Sequence, residues 1–151
     1  MAFGYKGKKV LKVKLFLVSL LLLVTGCQEN KTDSGVAEMH WDRDMCARCV
    51  MVISDRKNSV QLRDAKNKVH KFDDIGCMAL WLKEEKIELK DSAKIWITDL
   101  QTGEWIDART AFYTAGNITP MSFGYSAYKS KESIKDGTAI LTYDEVMRSI
   151  K

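Results

Sequence analysis

SVQLRDAKNKVHKFDDIGCMALWLKEE (residues 59–85) holds two short alternating runs followed by one helical stripe. Ser59 to Arg63 alternates polar and apolar, as does Val69 to Phe72, the pattern of strands with one wet face. Asp64 to Lys68, with Asn67, supplies a turn, so the two runs predict a hairpin. Asp73 or Asp74 is then suited to cap a helix running to about Glu85, because a short carboxylate accepts the first unpaired backbone N–H groups. Ile75, Met78, Ala79 and Leu82 form its apolar stripe, widened by Leu80 and Trp81.

Outward from this stretch, Ala93 to Thr98 reads as a strand. Gln101 to Glu104 reads as a turn, and Trp105 to Ala108 and Phe112 to Thr114 as further strand pieces. Tyr125 to Tyr128, a helical turn at Lys131 to Lys135 ended by Gly137, and a strand at Ala139 to Tyr143 follow. Asp144 is expected to cap a last helix, Glu145 to Ile150. On the other side, Val50 to Ile53 is short and β-branched and reads as a strand. The order strand, strand, helix, strand occurs twice, which predicts an α+β domain built of two ββαβ halves.

The N-terminus carries Lys6, Lys8, Lys9, Lys12 and Lys14 and then the apolar run Leu15 to Val24. That is a secretory signal, at about half the length that spans a bilayer. Val24-Thr25-Gly26-Cys27 is similar to the lipobox of bacterial lipoproteins. Residues 1–26 are thus expected to be a cleaved signal and Cys27 a lipidated first residue. Residues 27–38 form a flexible tether, and residues 39–151 form one domain held outside the cytoplasm. Several acyl chains anchor firmly where a single one binds only marginally. Without residues 1–26 the chain keeps 19 basic and 20 acidic residues, a formal charge of −1, and no basic patch that argues for nucleic acid.

Three thiols remain beyond Cys27, namely Cys46, Cys49 and Cys77, an odd number that points to a reactive group or a metal site. Met45-Cys46-Ala47-Arg48-Cys49-Val50-Met51 concentrates thiols and thioethers, soft donors that select Cu(I). In an extended segment Cys49 and Met51 share a face and both reach one ion, although Met51 among Val50, Val52 and Ile53 also suits core packing. Cys77 reads as a ligand or as a small buried hydrophobe. His70, on the hairpin, and His40, beside Met39, read as ligands or as solvated side chains. Met121 follows the chain's one proline, Pro120, which restrains Thr119 as well as itself. It can carry a thioether to the Cys49/Met51 site. Two other chemistries use the same cysteines. A treble-clef zinc module would take Cys46 and Cys49 with Cys77 and His70, and a thiol–disulfide oxidoreductase would need the C-x-x-C at a helix start. No serine, histidine and aspartate set or carboxylate pair argues for a hydrolase, and the reading is not of an enzyme.

Over residues 41–148 the chain resembles the NosL family of copper lipoproteins. The resemblance rests on the lipobox, C-x-x-C-x-M at Cys46, Cys49 and Met51, and the hairpin into Phe72-Asp73-Asp74. It continues with Thr119-Pro120-Met121-Ser122-Phe123-Gly124 and the closing Leu141 to Val146. It implies a fold of paired ββαβ units related to organomercurial lyase. It also implies Cu(I) delivery to exported nitrous oxide reductase or a related cuproenzyme, with an ABC-type maturation complex as docking partner. Matched residue by residue, it implies Cys49, Met51 and Met121 as metal ligands, with Cys46 as a further thiolate. Three positions depart from the family pattern. Val50 and Ser122 stand where glycine is usual, and Ala47 stands where proline is frequent.

Overall fold

The computed structural model describes residues 35–151; the signal, Cys27 and most of the tether lie outside the described residues. The expected hairpin is β1 (Val60–Arg63) and β2 (Val69–Phe72), antiparallel with Val60 opposite Phe72. β3 (Lys94–Thr98) pairs with the other edge of β1, and β4 (Trp105–Asp107) with β3, giving an antiparallel sheet of order β2-β1-β3-β4. Between β2 and β3 runs α1 (Ile75–Glu84). β5 (Phe112–Thr114) and β6 (Ser126–Tyr128) make a separate antiparallel pair. A 3-10 turn at Lys131–Ser133 and the terminal helix α2 (Tyr143–Ser149) follow.

The first set therefore has the order ββαβ. The second carries β5, β6 and the 3-10 turn, and the expected strand at 139–143 is reduced to one bridge between Leu141 and Tyr113. The expected strand at 50–53 is likewise a single bridge, Met45 with Val52. The cap of α2 is Thr142, not Asp144: Thr142 and Glu145 bond to each other's backbone in a capping box.

One face of the sheet presents Val60, Leu62, Phe72, Ile95 and Ile97, all buried against Ile75, Met78 and Leu82 of α1 and against Tyr113 and Val146. Full burial of such side chains is worth about 1.5–3 kcal/mol each. The other face was expected to be wet along β1, yet Gln61 is fully buried. Its side-chain amide closes two hydrogen bonds with the Ala37 backbone, at 3.0 and 2.9 Å, and Arg63 donates to the Gly35 carbonyl at 2.9 Å. A central strand flanked on both edges leaves no wet face once residues 35–37 lie across it.

The two sheets meet where Asp99, just past β3, bridges Ala127 of β6. The Asp99 carboxylate accepts from the backbone N–H groups of Gln101, Thr102 and Lys129 at 2.8–2.9 Å. Burial raises its pKa, but these donors outweigh it and hold the group below the ordinary 3.8. Among the described residues no helix is long and apolar enough to cross a membrane.

Candidate metal centre

Three pieces of chain converge at the junction of β2 and α1. The first is the loop carrying C-x-x-C. It is closed on itself by Cys46 N–H to the Met51 carbonyl at 2.8 Å and by Val50 N–H to the Cys46 carbonyl at 3.1 Å. Ala47 N–H donates to the Lys71 carbonyl at 2.8 Å, which ties the loop to the outer edge of β2. To make this closure Val50 adopts φ of +59°, so the segment is not extended and Cys49 and Met51 do not share a strand face. Cys49 turns inward to half-burial, while Met51 is 55% exposed and Val50 66% exposed.

The second piece is Asp73-Asp74 and the first turn of α1. Asp74 is the N-cap and accepts Cys77 N–H at 2.9 Å. Its other oxygen accepts the Thr119 hydroxyl and the Met121 N–H, each at 3.2 Å. Burial raises the Asp74 carboxyl, against the pull of these donors. The third piece is the Thr119 to Gly124 loop, which these bonds dock beside the helix start. Ser122 turns it with φ of +59°. Phe123 lies flat on Gly76, where a Cβ would come within 2.0 Å of the ring. Only glycine lets that loop approach the helix so closely.

At the convergence Cys46, Cys49, Asp73 and Cys77 offer three sulfurs and a carboxylate oxygen, all within 4.8 Å of one another. All three cysteines are free thiols. The Cys49 thiol donates to Asp73 Oδ2 at 3.1 Å. The Cys77 thiol donates to Cys46 and pulls it down to about 6, helped by the N–H groups of Cys49, Asp73 and Arg48 and opposed by burial. Cys77 is raised in turn by that same bond. Burial, with Asp73 and Cys46 adding to it, pushes Cys49 up to about 12. The neighbouring thiols thus favour negative charge at Cys46 and disfavour it at Cys49 and Cys77. The Arg48 guanidinium is clamped on Glu84 at 2.7–3.1 Å.

Of the residues named from sequence, Cys46, Cys49 and Cys77 are brought together. Met121 is held at the same helix start through its backbone, and the Met51 side chain is exposed to solvent. His70 is drawn elsewhere, 3.1 Å from Asp64 and with its ring 4.7 Å from Trp81. His40 sits with Asp44 and Glu38. The segment after Cys49 is a tight loop, and α1 begins only at Ile75, so the C-x-x-C does not open a helix. Sequence reasoning missed Asp73. Its signal was the doublet itself, since one helix start needs only one capping aspartate.

Fold and site together define a small antiparallel α+β domain presenting a soft-donor cluster where a loop, a strand end and a helix start meet. The chain belongs to the NosL family, whose profile matches residues 38–139. Its fold is similar to that in the crystal structure of the copper chaperone NosL from Shewanella denitrificans. The TM-score is 0.60 at 17% identity, covering 73% of this chain and 94% of that one. No curated protein matches the chain.

Proposed function

We propose that this protein is a Cu(I) chaperone, lipid-anchored through Cys27 to the outer face of the cell membrane. The observation that carries the reading is the gathering of Cys46, Cys49 and Cys77 in a NosL-family domain, with Met51 exposed two residues after Cys49. Thiolates and thioethers prefer Cu(I) to the harder ions. Met51, exposed and uncharged, is suited to first contact. Cys49 and Cys46 then supply thiolates, with the Cys49 proton lost to solvent as sulfur binds. Met121 completes the soft donor set from the docked loop. A rim ligand that a partner can reach permits release by stepwise exchange, which is what a carrier needs. The cargo's destination, on the family reading, is nitrous oxide reductase or a related exported cuproenzyme, with an ABC-type maturation complex as docking partner.

An anaerobic competition titration of the reduced protein in detergent, against a chromophoric Cu(I) chelator, tests the reading. One Cu(I) is expected to bind, and Met51→Ala to weaken it about tenfold or more, roughly 1.4 kcal/mol. Affinity indifferent to Met51 would contradict the proposed site.

A further inference from the structure

The face of the four-stranded sheet turned away from α1 is built unlike the packed one. It carries Trp96 and Trp105 and the cations Arg63, Lys71 and Lys94, and Asp107 is the one acidic residue at its strand positions. The chain enters the domain across this face. The Gly35 carbonyl accepts from Arg63 at 2.9 Å, and a Cβ on Gly35 would touch the Trp96 ring at 3.5 Å. Ala37 is bonded twice to Gln61, and Lys71 Nζ donates to the Glu38 carbonyl and to Asp44, each at 2.6 Å. Trp41 then stacks on Trp105, with ring centroids 6.4 Å apart and planes 12° from parallel. The Arg56 guanidinium lies 5.4 Å from the Trp41 ring centroid. Trp41 and Trp105 are half-buried, and Arg56 and Lys94 are exposed.

Indole rings, with an apolar body and a polar N–H, settle at the boundary between hydrocarbon and headgroups. Arginine and lysine beside them attract lipid phosphates. Neither property singles out a bilayer over a protein partner; the point of chain entry does. Cys27 stands eight residues before Gly35. Eight residues reach at most about 29 Å, whatever their path. A domain of this size has a radius of gyration of about 13 Å and is about 35 Å through. Because Gly35 is held on Trp96, a lipid on Cys27 draws this face toward the bilayer. Presenting the α1 face instead would take the tether round a sheet edge and consume its reach. We infer that this face, centred on Trp41, Trp105 and Arg56, is a lipid-contact surface resting on the headgroup region of the bilayer that holds the Cys27 anchor. The inference rests on the lipoprotein reading of Cys27 and is independent of the copper reading. It fixes an orientation as well. α1 lies on the opposite side of the sheet, so its first turn, with Cys77, is turned from the bilayer toward the extracytoplasmic space.

The test uses the full chain purified with its anchor and reconstituted in vesicles of phosphatidylethanolamine and phosphatidylglycerol whose acyl chains are brominated near the headgroup. Bromine quenches indoles that reach the interface. The chain has four tryptophans, Trp41, Trp81, Trp96 and Trp105, and half-buried Trp81 lies on α1, across the sheet from the proposed surface. The expected result is flotation with the vesicles and quenching that falls by about half or more in Trp41→Phe/Trp105→Phe and is retained in Trp81→Phe. If the double variant does not fold, quenching in Trp81→Phe against the wild type decides alone. Flotation without quenching, or quenching lost in Trp81→Phe, would overturn the inference and leave the anchor standing. A blue shift of the emission that grows with protein density and not with bromolipid would give the face to a second copy and likewise overturn it. Failure to float, with no lipid mass on Cys27, would overturn the lipoprotein reading itself and this inference with it.

Discussion

The four-stranded sheet and the two loops at the metal centre are built by opposite means. In β1, β2 and β3 the register stacks Val60 on Phe72 and Ile97, and Leu62 on Ile95, so every residue sits in ordinary extended backbone and burial stabilises the result. In the loops at 46–51 and 119–124, Val50 and Ser122 are held left-handed at φ of +59°, where a branched side chain is a clear outlier. Such a conformation costs roughly 1–2 kcal/mol per residue. Here it is sustained by hydrogen bonds to β2 and to Asp74. The sheet is the foundation, and the strain is stored where chemistry is proposed.

Breaking the foundation gives the largest expected effect. Phe72→Ala should destabilise the fold by about 3–5 kcal/mol in denaturant unfolding. A loss below about 1 kcal/mol would mean that the sheet does not carry the site. Next comes the tie between helix and loop. Asp74→Ala leaves Cys77 N–H, Thr119 Oγ1–H and Met121 N–H without their acceptor and should cost about 2–4 kcal/mol. Cu(I) affinity should fall with it, because Met121 is no longer held. Retained affinity at reduced stability would separate the loop from the site.

The join between the sheets responds to acid. Asp99 has a folded pKa below the 3.8 of the unfolded chain, so its contribution is present above about pH 4 and is lost as pH falls toward the folded value. Asp99→Asn should flatten that part of the acid-unfolding curve, and an identical slope would remove Asp99 as a joint. The smallest effect sharpens the comparison from the other side. Val50→Gly relieves the left-handed strain at an exposed position and should raise stability by about 1 kcal/mol after glycine's own entropy cost. A loss would show that the loop conformation is not strained.

The hairpin, α1 and β3 were legible because their patterns are local: alternation for the strands, a stripe for the helix, and an aspartate at its start. Val50 to Ile53 misled because β-branched residues favour strands, whereas hydrogen bonding within Cys46–Met51 overrode that propensity. Gln61 misled because its partner, Ala37, lies 24 residues away. For the site, the thiols were visible by type. Asp73 was not, since its role depends on a loop from residues 46–49 folding against it. His70 carried a plausible ligand but no sign of its Asp64 partner. Val50 and Ser122, which the resemblance marked as departures from glycine, are both left-handed, the conformation that glycine adopts without strain.

X-ray absorption at the copper edge of the Cu(I)-loaded protein tests the central claim most directly. The expected result is a first shell of sulfur only, with one scatterer fewer or a longer mean bond in Met51→Ala. A shell with nitrogen from His40 or His70, or one that Met51→Ala leaves unchanged, would contradict a soft-donor copper site at Cys46, Cys49, Met51 and Met121.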